Sequence, residues 1–369
     1  MPVPANSIPV AKEGYGRVLI VGAAGFIGHL VAAASLRAGM PTYLLVRSAS
    51  ATKAKPTVKA LQDQGAIIVQ GDINDKECTE RTLKELKIET VISAVGGEAV
   101  MDQIPLVEAI KAVGTIKRFM PSEFGHDVDR AEPVQPGMNM YIQKRQVRRL
   151  IEDSGVPYTY ILCNSIASWP YFDNTHPSEV LPPTDKFHIY GDGSVKAYFV
   201  AGSDIGKFTI KALYDPRTLN KSVHFRPKSN YFCINELASL WESKIGRVLP
   251  RVTVSEDHLL ALAAENRIPE SIVASFTHDI FIKGCQINFD IEGPDEMEVG
   301  DLYPEERFIT LDQCFNEFYA RLLKGKVGAE GGEKVSKAED VVITPPVEAA
   351  DIIPPSHVME PLPISAMCA

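Results

Sequence analysis

The sequence lacks a long apolar run and an excess of basic residues. None of its segments reaches the roughly 18 consecutive apolar residues of a membrane helix, so we predict no membrane span. With 38 Lys and Arg against 47 Asp and Glu, the formal net charge is −9. This balance argues against a protein that binds nucleic acid through its phosphates. Residues 1–15 contain prolines and no apolar signal core, and we interpret them as a flexible lead-in.

Closely spaced cysteines are also missing. The six cysteines are scattered along the chain, and none belongs to a CxxC pair. Zinc sites and disulfide frameworks both require such recurring short spacings. We therefore expect no metal site, and free thiols are typical of a protein in the reducing cytoplasm.

What the sequence does contain is a buried strand that runs directly into a glycine turn. Residues 17–21 read Arg-Val-Leu-Ile-Val, and four successive apolar residues are typical of a parallel strand buried on both faces. The predicted cofactor-binding turn comprises Gly22, Ala23, Ala24, Gly25, Phe26, Ile27 and Gly28. The first two glycines permit a tight turn close to a pyrophosphate, and the third permits close packing of the following helix. This arrangement predicts a dinucleotide cofactor.

Strands and helices alternate regularly after this turn. The rhythm predicts an α/β fold with a doubly wound parallel sheet, the Rossmann arrangement, and a smaller C-terminal substrate lobe. A segment at 165–198, rich in Pro, Trp, Tyr, Asp and Gly, is expected to be irregular and to cover a pocket. The predicted divisions are the cofactor domain at 16–163 with 204–245 returning to it, the substrate lobe at 164–203 and 246–323, and a disordered tail at 324–369.

The cofactor is predicted from an acid that is missing. In NAD enzymes an acidic residue about 20 positions after the glycines binds the adenosine ribose. Here Arg47 stands 19 residues after Gly28, and a guanidinium can bind a ribose phosphate in bidentate fashion. Lys53 and Lys55 lie close by in sequence and add positive charge. The pattern favours the interpretation that Arg47 binds the ribose phosphate of NADPH over the alternative that it is a solvated arginine at the start of a loop.

Two further strand ends are expected along the same cofactor path. Ala94, Val95 and Gly96 end the fourth strand, where a doubly wound sheet binds its ligand. Asp72 ends the third strand and is either an adenine contact or a turn residue, and the sequence leaves both open.

The first candidate for chemistry is the loop after the fifth strand. Its polar residues are Ser122, Glu123 and His126, and they should border the cofactor because ligands bind at the carboxyl ends of strands. Asp127 follows His126, and a nearby carboxylate would favour a protonated imidazole. Catalytic and structural interpretations of His126 are equally open on the residues alone.

The second candidate is the helix around Lys144. Short-chain dehydrogenases carry a tyrosine four residues before their lysine, but here that position is Met140, and Tyr141 is only three residues before. Lys144 can hold the nicotinamide ribose or act as a base, and the alternative is a surface lysine. We interpret its neighbours Arg148 and Arg149 as solvated.

These residues, taken together, resemble the plant phenylpropanoid and isoflavonoid reductases, which are atypical short-chain dehydrogenases. Besides the glycine turn and Arg47, three motifs carry the resemblance: residues 118–127 (RFMPSEFGHD), 161–164 (ILCN) and 277–279 (THD). It covers roughly residues 16–323 and is most specific to the branch that reduces flavan-3,4-diols to flavan-3-ols, such as leucocyanidin to catechin. It implies NADPH as cofactor, Lys144 and His126 as catalytic residues, and a small flavonoid as partner. It leaves the oligomeric state open.

The resemblance also explains the missing tyrosine. If Lys144 takes a proton from a phenol para to the reacting carbon, the 4-hydroxyl is expelled with help from His126, and the quinone methide that forms accepts hydride. The expected substrate pocket comprises Ser122, His126, Met140, Tyr141, Cys163, Asn164, Phe276, His278 and Ile280, with Asn164 also near the cofactor. His278 and Asp279 are equally well interpreted as a helix-surface pair. The alternatives are a sister reductase acting on isoflavones or benzylic ethers, and a non-catalytic NADPH-binding redox sensor.

Overall fold

A parallel sheet forms the centre of the first lobe in the computed structural model, which describes residues 16–47, 56–172 and 180–330. Its strands are β1 (Val18–Val21), β2 (Thr42–Val46), β3 (Ile67–Gln70), β4 (Thr90–Ser93) and β5 (Arg118–Met120). They are hydrogen-bonded in the order β3-β2-β1-β4-β5, and every pairing is parallel. The order reverses between β1 and β4, where doubly wound sheets bind their ligands. The predicted fold class is confirmed.

The sheet continues beyond β5. A bridge between Phe119 and Tyr158 leads to β6 (Thr159–Leu162). This strand pairs in parallel with β10 (Lys221–His224), which pairs in parallel with β13 (Glu296–Glu298). The carboxyl ends of β6 and β10 therefore face the same side as those of β1 and β4.

Helices cover both faces of the sheet. The described helices are α1 (Phe26–Arg37), α2 (Pro56–Asp63), α3 (Lys76–Glu85), α4 (Gln103–Val113), α5 (Gly137–Ser154), α6 (Gly202–Tyr214), α7 (Ile234–Ile245), α8 (Glu256–Ala264), α9 (Glu270–Phe281), α10 (Val299–Leu302) and α11 (Leu311–Glu330). None of them is long and apolar enough to cross a membrane.

Strand β1 shows why the sheet needs a layer of helices on each face. Val18 and Ile20 pack into a core shared with α1 and α6, whereas Leu19 and Val21 pack into a core shared with α4 and α5. Side chains alternate between faces along a strand, so a run with no polar residue requires an apolar layer on each side. Burial of each such side chain contributes about 1.5–3 kcal/mol.

The second lobe has its own core and small sheets. Its strands are β7 (Ser165–Ile166), β8 (Phe187–Tyr190), β9 (Lys196–Val200), β11 (Tyr231–Cys233) and β12 (Arg251–Val254). Trp169, Phe187, Trp241 and Phe276 are buried in its core. The expectation that residues 165–198 are irregular holds only in part, because residues 167–172 and 180–186 belong to no helix or strand, whereas β7, β8 and the start of β9 also lie in this segment. In strands of two to five residues the alternation of apolar and polar side chains is too short to recognise in the sequence, and such strands are defined by the strands they pair with.

Several predicted boundaries can be compared with the structure. Within 204–245, α6 packs on α1 and β10 joins the parallel sheet, whereas α7 contributes Leu237 and Trp241 to the second core. Within 246–323, β13 and α10 lie with the parallel sheet. Helix α11 continues past residue 324 to Glu330. Residues 1–15 and 331–369, where the lead-in and most of the tail are predicted, lie outside the described residues.

Helix α5 connects the two lobes and positions the candidate site. Its C-terminal half contributes Val147 and Ile151 to the first lobe, and its N-terminal half contributes Met140 and Tyr141 to the second. Lys144 lies between these two halves and is buried. The junction of the lobes therefore carries the lysine.

Candidate active site

The glycine turn forms a cradle whose walls leave no room for two side chains. Gly22 has φ +83°, and a Cβ there would lie 2.3 Å from the Ala94 carbonyl oxygen. A Cβ on Gly28 would lie 2.2 Å from the Gly22 carbonyl oxygen. These two glycines are required by the packing of the turn on β4 and of α1 on the turn.

Gly25 differs from the other two glycines of the turn. Its Cβ would approach only the Gly22 carbonyl oxygen, at 3.3 Å, and Gly25 is exposed. Its N–H donates to that same oxygen at 2.9 Å, and α1 begins at the next residue. The open space above a helix N-terminus fits a pyrophosphate. The cradle therefore fits the dinucleotide that the sequence predicts.

A cavity of about 250 Å³ lies at the carboxyl ends of β1 to β4. Its predicted lining residues are Gly22, Ala23, Ala24, Gly25, Arg47, Asp72, Ala94, Val95 and Gly96. Ile27 is buried in the core beneath the turn, and Phe26 packs against that core, so both residues position the turn rather than line the cavity. The cavity follows the path expected for the cofactor.

Arg47 stands exposed at the rim of this cavity, directly after β2. Arg47 thus places a positive charge where an NAD enzyme carries the acidic residue that binds the adenosine ribose. Lys53 and Lys55 lie outside the described residues. Asp72 accepts hydrogen bonds from the Asn74 backbone and side chain, at 3.0 and 3.3 Å. It is therefore a turn residue that also lines the cavity, and its contact with adenine stays a prediction.

The loop after β5 is buried along its whole length from residue 121 to 128. Ser122 fastens it to the cofactor cavity, because its hydroxyl donates to the Val95 carbonyl at 2.8 Å and its N–H donates to Gln103 Oε1 at 2.8 Å. Phe124 is fully buried with φ +34°, a conformation that bulky residues rarely adopt. Such strain is found where the surrounding structure holds a functional loop in place.

Lys144 reaches this loop from α5. Its Nζ donates to the Glu123 carbonyl oxygen at 2.7 Å, and the side chain is only 5% exposed. The alternative of a surface lysine is therefore excluded. A buried amine next to the cofactor cavity can hold a ribose hydroxyl or exchange a proton with a ligand.

His126 is buried close to Lys144. Burial, reinforced by the Lys144 charge, lowers the pKa of His126 to about 3, and Asp127 opposes this only weakly. The expectation that Asp127 keeps His126 protonated is therefore wrong. Asp127 instead accepts from Arg148 at 2.8 Å. His126 is a neutral imidazole in this structure, and its Nε2 is buried without a partner among the described residues.

The Arg148 guanidinium organises the charges behind the loop. It lies one helical turn after Lys144, is 2% exposed, and binds both oxygens of the Glu123 carboxylate at 3.0 and 2.8 Å. It also pairs with Asp127 and Asp129, at 2.8 and 2.9 Å. The prediction that Arg148 is solvated is wrong, whereas Arg149 is indeed exposed. Arg148 holds the residue whose carbonyl binds Lys144.

One group near Arg148 has the composition of a metal site. Ligand atoms of Asp127, His224 and Glu296 lie within 4.8 Å of one another. However, Arg148 pairs with Asp127 and Arg130 pairs with Glu296, at 2.8 and 2.7 Å. A second cation would be repelled by these fixed guanidinium charges. The group therefore belongs to the arginine network.

Aromatic side chains line the site on the second-lobe side. Tyr141 stacks on Phe276 with ring centroids 5.0 Å apart, and its ring lies edge-on to His126 at 5.6 Å. Met140 and Ile280 are buried in the same core. Tyr141 and Phe276 thus lie beside the imidazole, and a flat aromatic ligand suits such aromatic neighbours.

Cys163 and Asn164 follow β6. Burial raises the pKa of the Cys163 thiol to about 12, so it is an inert core residue at neutral pH. Asn164 has φ +58°, its N–H donates to the Gly125 carbonyl, and its side-chain amide donates to the Phe225 carbonyl, both at 3.0 Å. Asn164 thus ties the His126 loop to β10, and this role explains its identity.

The predicted pair on α9 is buried, which excludes the helix-surface interpretation. His278 Nε2 lies 2.9 Å from Glu256 Oε1, so α8 already engages this imidazole. Burial raises the pKa of Asp279 to about 6, and its Oδ2 has no partner among the described residues. His278 therefore joins α8 to α9, and Asp279 is a buried carboxylate whose pKa stays raised although Cys285 hydrogen-bonds to it.

Two residues of the site were missed by sequence reasoning. Arg148 could have been found, because it is four residues after Lys144 and so shares its helix face. Gln286 has no such signal. It lies 160 positions from His126, beyond the end of α9, and its amide Nε2 is 3.4 Å from His126 Nδ1. Only the folded chain brings these two together.

Comparisons with known proteins agree with this geometry. The NmrA-like family model matches residues 15–315. A leucoanthocyanidin reductase of Desmodium uncinatum is 58% identical over 90% of this chain and 87% of its own. A phenylcoumaran benzylic ether reductase of Ginkgo biloba is 43% identical over 83% of this chain and 99% of its own. A solved leucoanthocyanidin reductase–NADPH complex of Vitis vinifera has 66% identity and a TM-score of 0.79, and covers 83% of this chain and 100% of its own. The predicted resemblance is confirmed.

Proposed function

The chain belongs to the NmrA-like family, and from this premise and the site above we propose that it reduces leucoanthocyanidins, which are flavan-3,4-diols, to flavan-3-ols with NADPH. The observation that carries the proposal is the buried Lys144 beside a neutral His126, at the edge of a glycine cradle and against an aromatic wall. Relatives of known activity support it, since the Vitis protein was solved with NADPH.

Arg47, the cradle at Gly25 and the cavity to Gly96 would hold the cofactor. When bound, NADPH supplies the hydride that carbon 4 of the flavan accepts. The remaining steps belong to the chain. Lys144 Nζ, in its unprotonated form, takes the proton of the phenol para to the reacting carbon, and the electron pair released there expels the 4-hydroxyl. Once carbon 4 has accepted hydride and the ring is aromatic again, Lys144 returns this proton to the phenolate oxygen.

His126 assists the departing hydroxyl. Because its imidazole is neutral, it acts as a hydrogen-bond donor to the developing negative oxygen, and solvent completes the protonation to water. A neutral donor at a buried position is effective because few water molecules compete with it for the leaving oxygen. The substrate's own phenol thus replaces the missing tyrosine at Met140.

The test is single-turnover oxidation of NADPH with leucocyanidin, compared with an isoflavone and a phenylcoumaran. We expect turnover with leucocyanidin and at least about 10²-fold slower reaction with the others. Preference for the phenylcoumaran would favour the sister activity, for which the 43% identical Ginkgo reductase is the precedent. Bound NADPH without turnover of any substrate would favour the redox sensor.

The role of the lysine is tested with Lys144→Met. We expect kcat to fall about 10²–10⁴-fold, which is the contribution of general acid–base transfer, while the Kd of NADPH changes by less than about fivefold. Lys111→Met, at an exposed lysine of α4, is the matched control and should retain full activity. Full activity of the Lys144 variant would refute this mechanism.

We also place the reaction in the cytoplasm. Among the described residues, Cys78, Cys163 and Cys233 are thiols outside any disulfide bond, as a reducing compartment allows. Fractionation of plant tissue with an antibody to the chain tests this assignment.

A further inference from the structure

Gln286 occupies a buried position between both lobes and the His126 loop. It is 1% exposed, and three groups surround its side-chain amide. Oε1 accepts from the Tyr198 backbone N–H at 3.1 Å, and Nε2 donates to Ser165 Oγ at 2.8 Å. Nε2 also lies 3.4 Å from His126 Nδ1. Both hydrogens of the NH₂ group and one lone pair of Oε1 thus have a partner.

The orientation of this amide follows from its partners. A backbone N–H can only donate, so the atom facing Tyr198 must be the amide oxygen. The NH₂ group must then face Ser165 and His126. Since an NH₂ group can only donate, Nδ1 of His126 must accept, and it must therefore carry its lone pair.

A neutral imidazole that accepts at Nδ1 carries its proton at Nε2. That nitrogen is buried and has no partner among the described residues. It lies in the site that Tyr141 and Phe276 border. We propose that Gln286 is a positioning residue that fixes the tautomer of His126, so that Nε2–H is presented to the substrate's departing hydroxyl. This inference rests on the proposed function only in one respect, namely that the group accepting the hydrogen bond from Nε2–H is the 4-hydroxyl of the substrate.

The inference is tested by the nitrogen chemical shifts of His126 in protein labelled with ¹⁵N-histidine, with the signal assigned from His126→Asn. We expect the shifts of wild-type His126 to show a protonated Nε2 and an unprotonated Nδ1. Gln286→Glu should reverse them, because a carboxylate accepts from both the Tyr198 N–H and an Nδ1–H. Gln313→Glu makes the same change at an exposed glutamine of α11 and should alter nothing.

The kinetic consequence separates positioning from simple packing. We expect Gln286→Glu to lower kcat by about 10²-fold or more with KM and NADPH affinity nearly unchanged, because the donor is lost while the pocket keeps its shape. Gln286→Met, of similar length, removes the donor without adding charge and should leave both tautomers populated, with an intermediate kcat. Ser165→Ala keeps the bond to His126 and should keep the wild-type tautomer.

A protonated Nδ1 in the wild type would overturn the inference, and so would an unchanged tautomer in both Gln286 variants. The wild-type spectrum decides the first point even if a variant fails to fold. If leucocyanidin is not reduced but the tautomer is as expected and reverses in Gln286→Glu, the inference stands and the proposed substrate fails. The two failures are therefore distinguishable.

Discussion

The glycine cradle and the Lys144–His126 pair lie along the same edge of the sheet, but they are built in different ways. The cradle consists of main-chain atoms within seven consecutive residues, and its shape depends on the absence of Cβ atoms at Gly22 and Gly28. The pair consists of side chains from α5 and from the loop after β5, held by partners elsewhere in the chain. The hydroxyl of Ser122, which bonds the Val95 carbonyl, joins one to the other.

The difference shows what each part of the site needs. A pyrophosphate is recognised by backbone N–H groups and a helix N-terminus, which a short local motif supplies. Proton transfer requires particular side chains to be buried in fixed protonation states, and burial requires compensating charges and hydrogen bonds. Arg148, with Glu123 and Asp127, supplies the charges, and Gln286 supplies the hydrogen bond.

The largest effect should come from breaking the charge network behind the pair. Arg148→Met would leave the buried carboxylate of Glu123 without its ion pair and Asp127 with Arg130 alone, so we expect the free energy of unfolding to fall by about 3–5 kcal/mol. Arg149→Met, at the exposed neighbour, should change it by less than about 1 kcal/mol. Urea unfolding followed by circular dichroism measures both. Equal losses would mean that the buried network is not organised by Arg148.

The cradle should respond to its glycines in two different ways. Gly22→Ala combines positive φ with a clash against the Ala94 carbonyl, and we expect a loss of about 2–4 kcal/mol in unfolding free energy. Gly25→Ala should cost less than about 1 kcal/mol but weaken NADPH binding at least about tenfold, because the methyl occupies space for the pyrophosphate. Unfolding and titration calorimetry are the measurements. If the Gly25→Ala variant bound NADPH with unchanged affinity, the prediction that the cofactor's pyrophosphate lies at this turn would be wrong.

The cradle could be predicted from the sequence because all its information is local. A run of apolar residues, three glycines and the missing acid near Arg47 are visible without a structure. The same holds for Lys144, which a helix brings to the sheet edge. The two lobes were also visible as a change in rhythm after residue 164, although the short strands β7 to β9 were not.

The surroundings of the catalytic pair could not be predicted in this way. Arg145, Arg148 and Arg149 look alike in the sequence, yet of these three only Arg148 pairs with the buried carboxylates of Glu123 and Asp127. The effect of Asp127 on His126 was predicted wrongly, because adjacency in sequence does not reveal that Arg148 takes up the carboxylate. Burial, rather than the nearest charge, decides the protonation of His126.

Asp279, on α9, tests whether burying a carboxylate without an arginine partner costs stability. Its pKa is raised to about 6 by burial, whereas the unfolded value is near 3.8. Its stability cost is therefore absent below about pH 4, grows as the pH rises to 6, and is complete above that. We expect Asp279→Asn to raise the unfolding free energy at pH 8 by about 1–3 kcal/mol and to have little effect at pH 4. Asp312→Asn, at an exposed aspartate paired with Lys244, should not stabilise at either pH.

The smallest expected effect concerns Arg47, whose exposed side chain supplements the main-chain cradle in binding the cofactor. Arg47→Ser removes the cation at the cavity rim, and we expect NADPH affinity to fall about 10–100-fold while NADH affinity changes by less than about twofold. Stability should not change, because Arg47 is exposed. Arg37→Ser, at the exposed C-terminal end of α1, is the control and should leave both affinities unchanged. Equal losses for the two cofactors would show that Arg47 contacts a part that they share. In that case the preference for the ribose phosphate would have to come from the chain between β2 and α2, which contains Lys53 and Lys55.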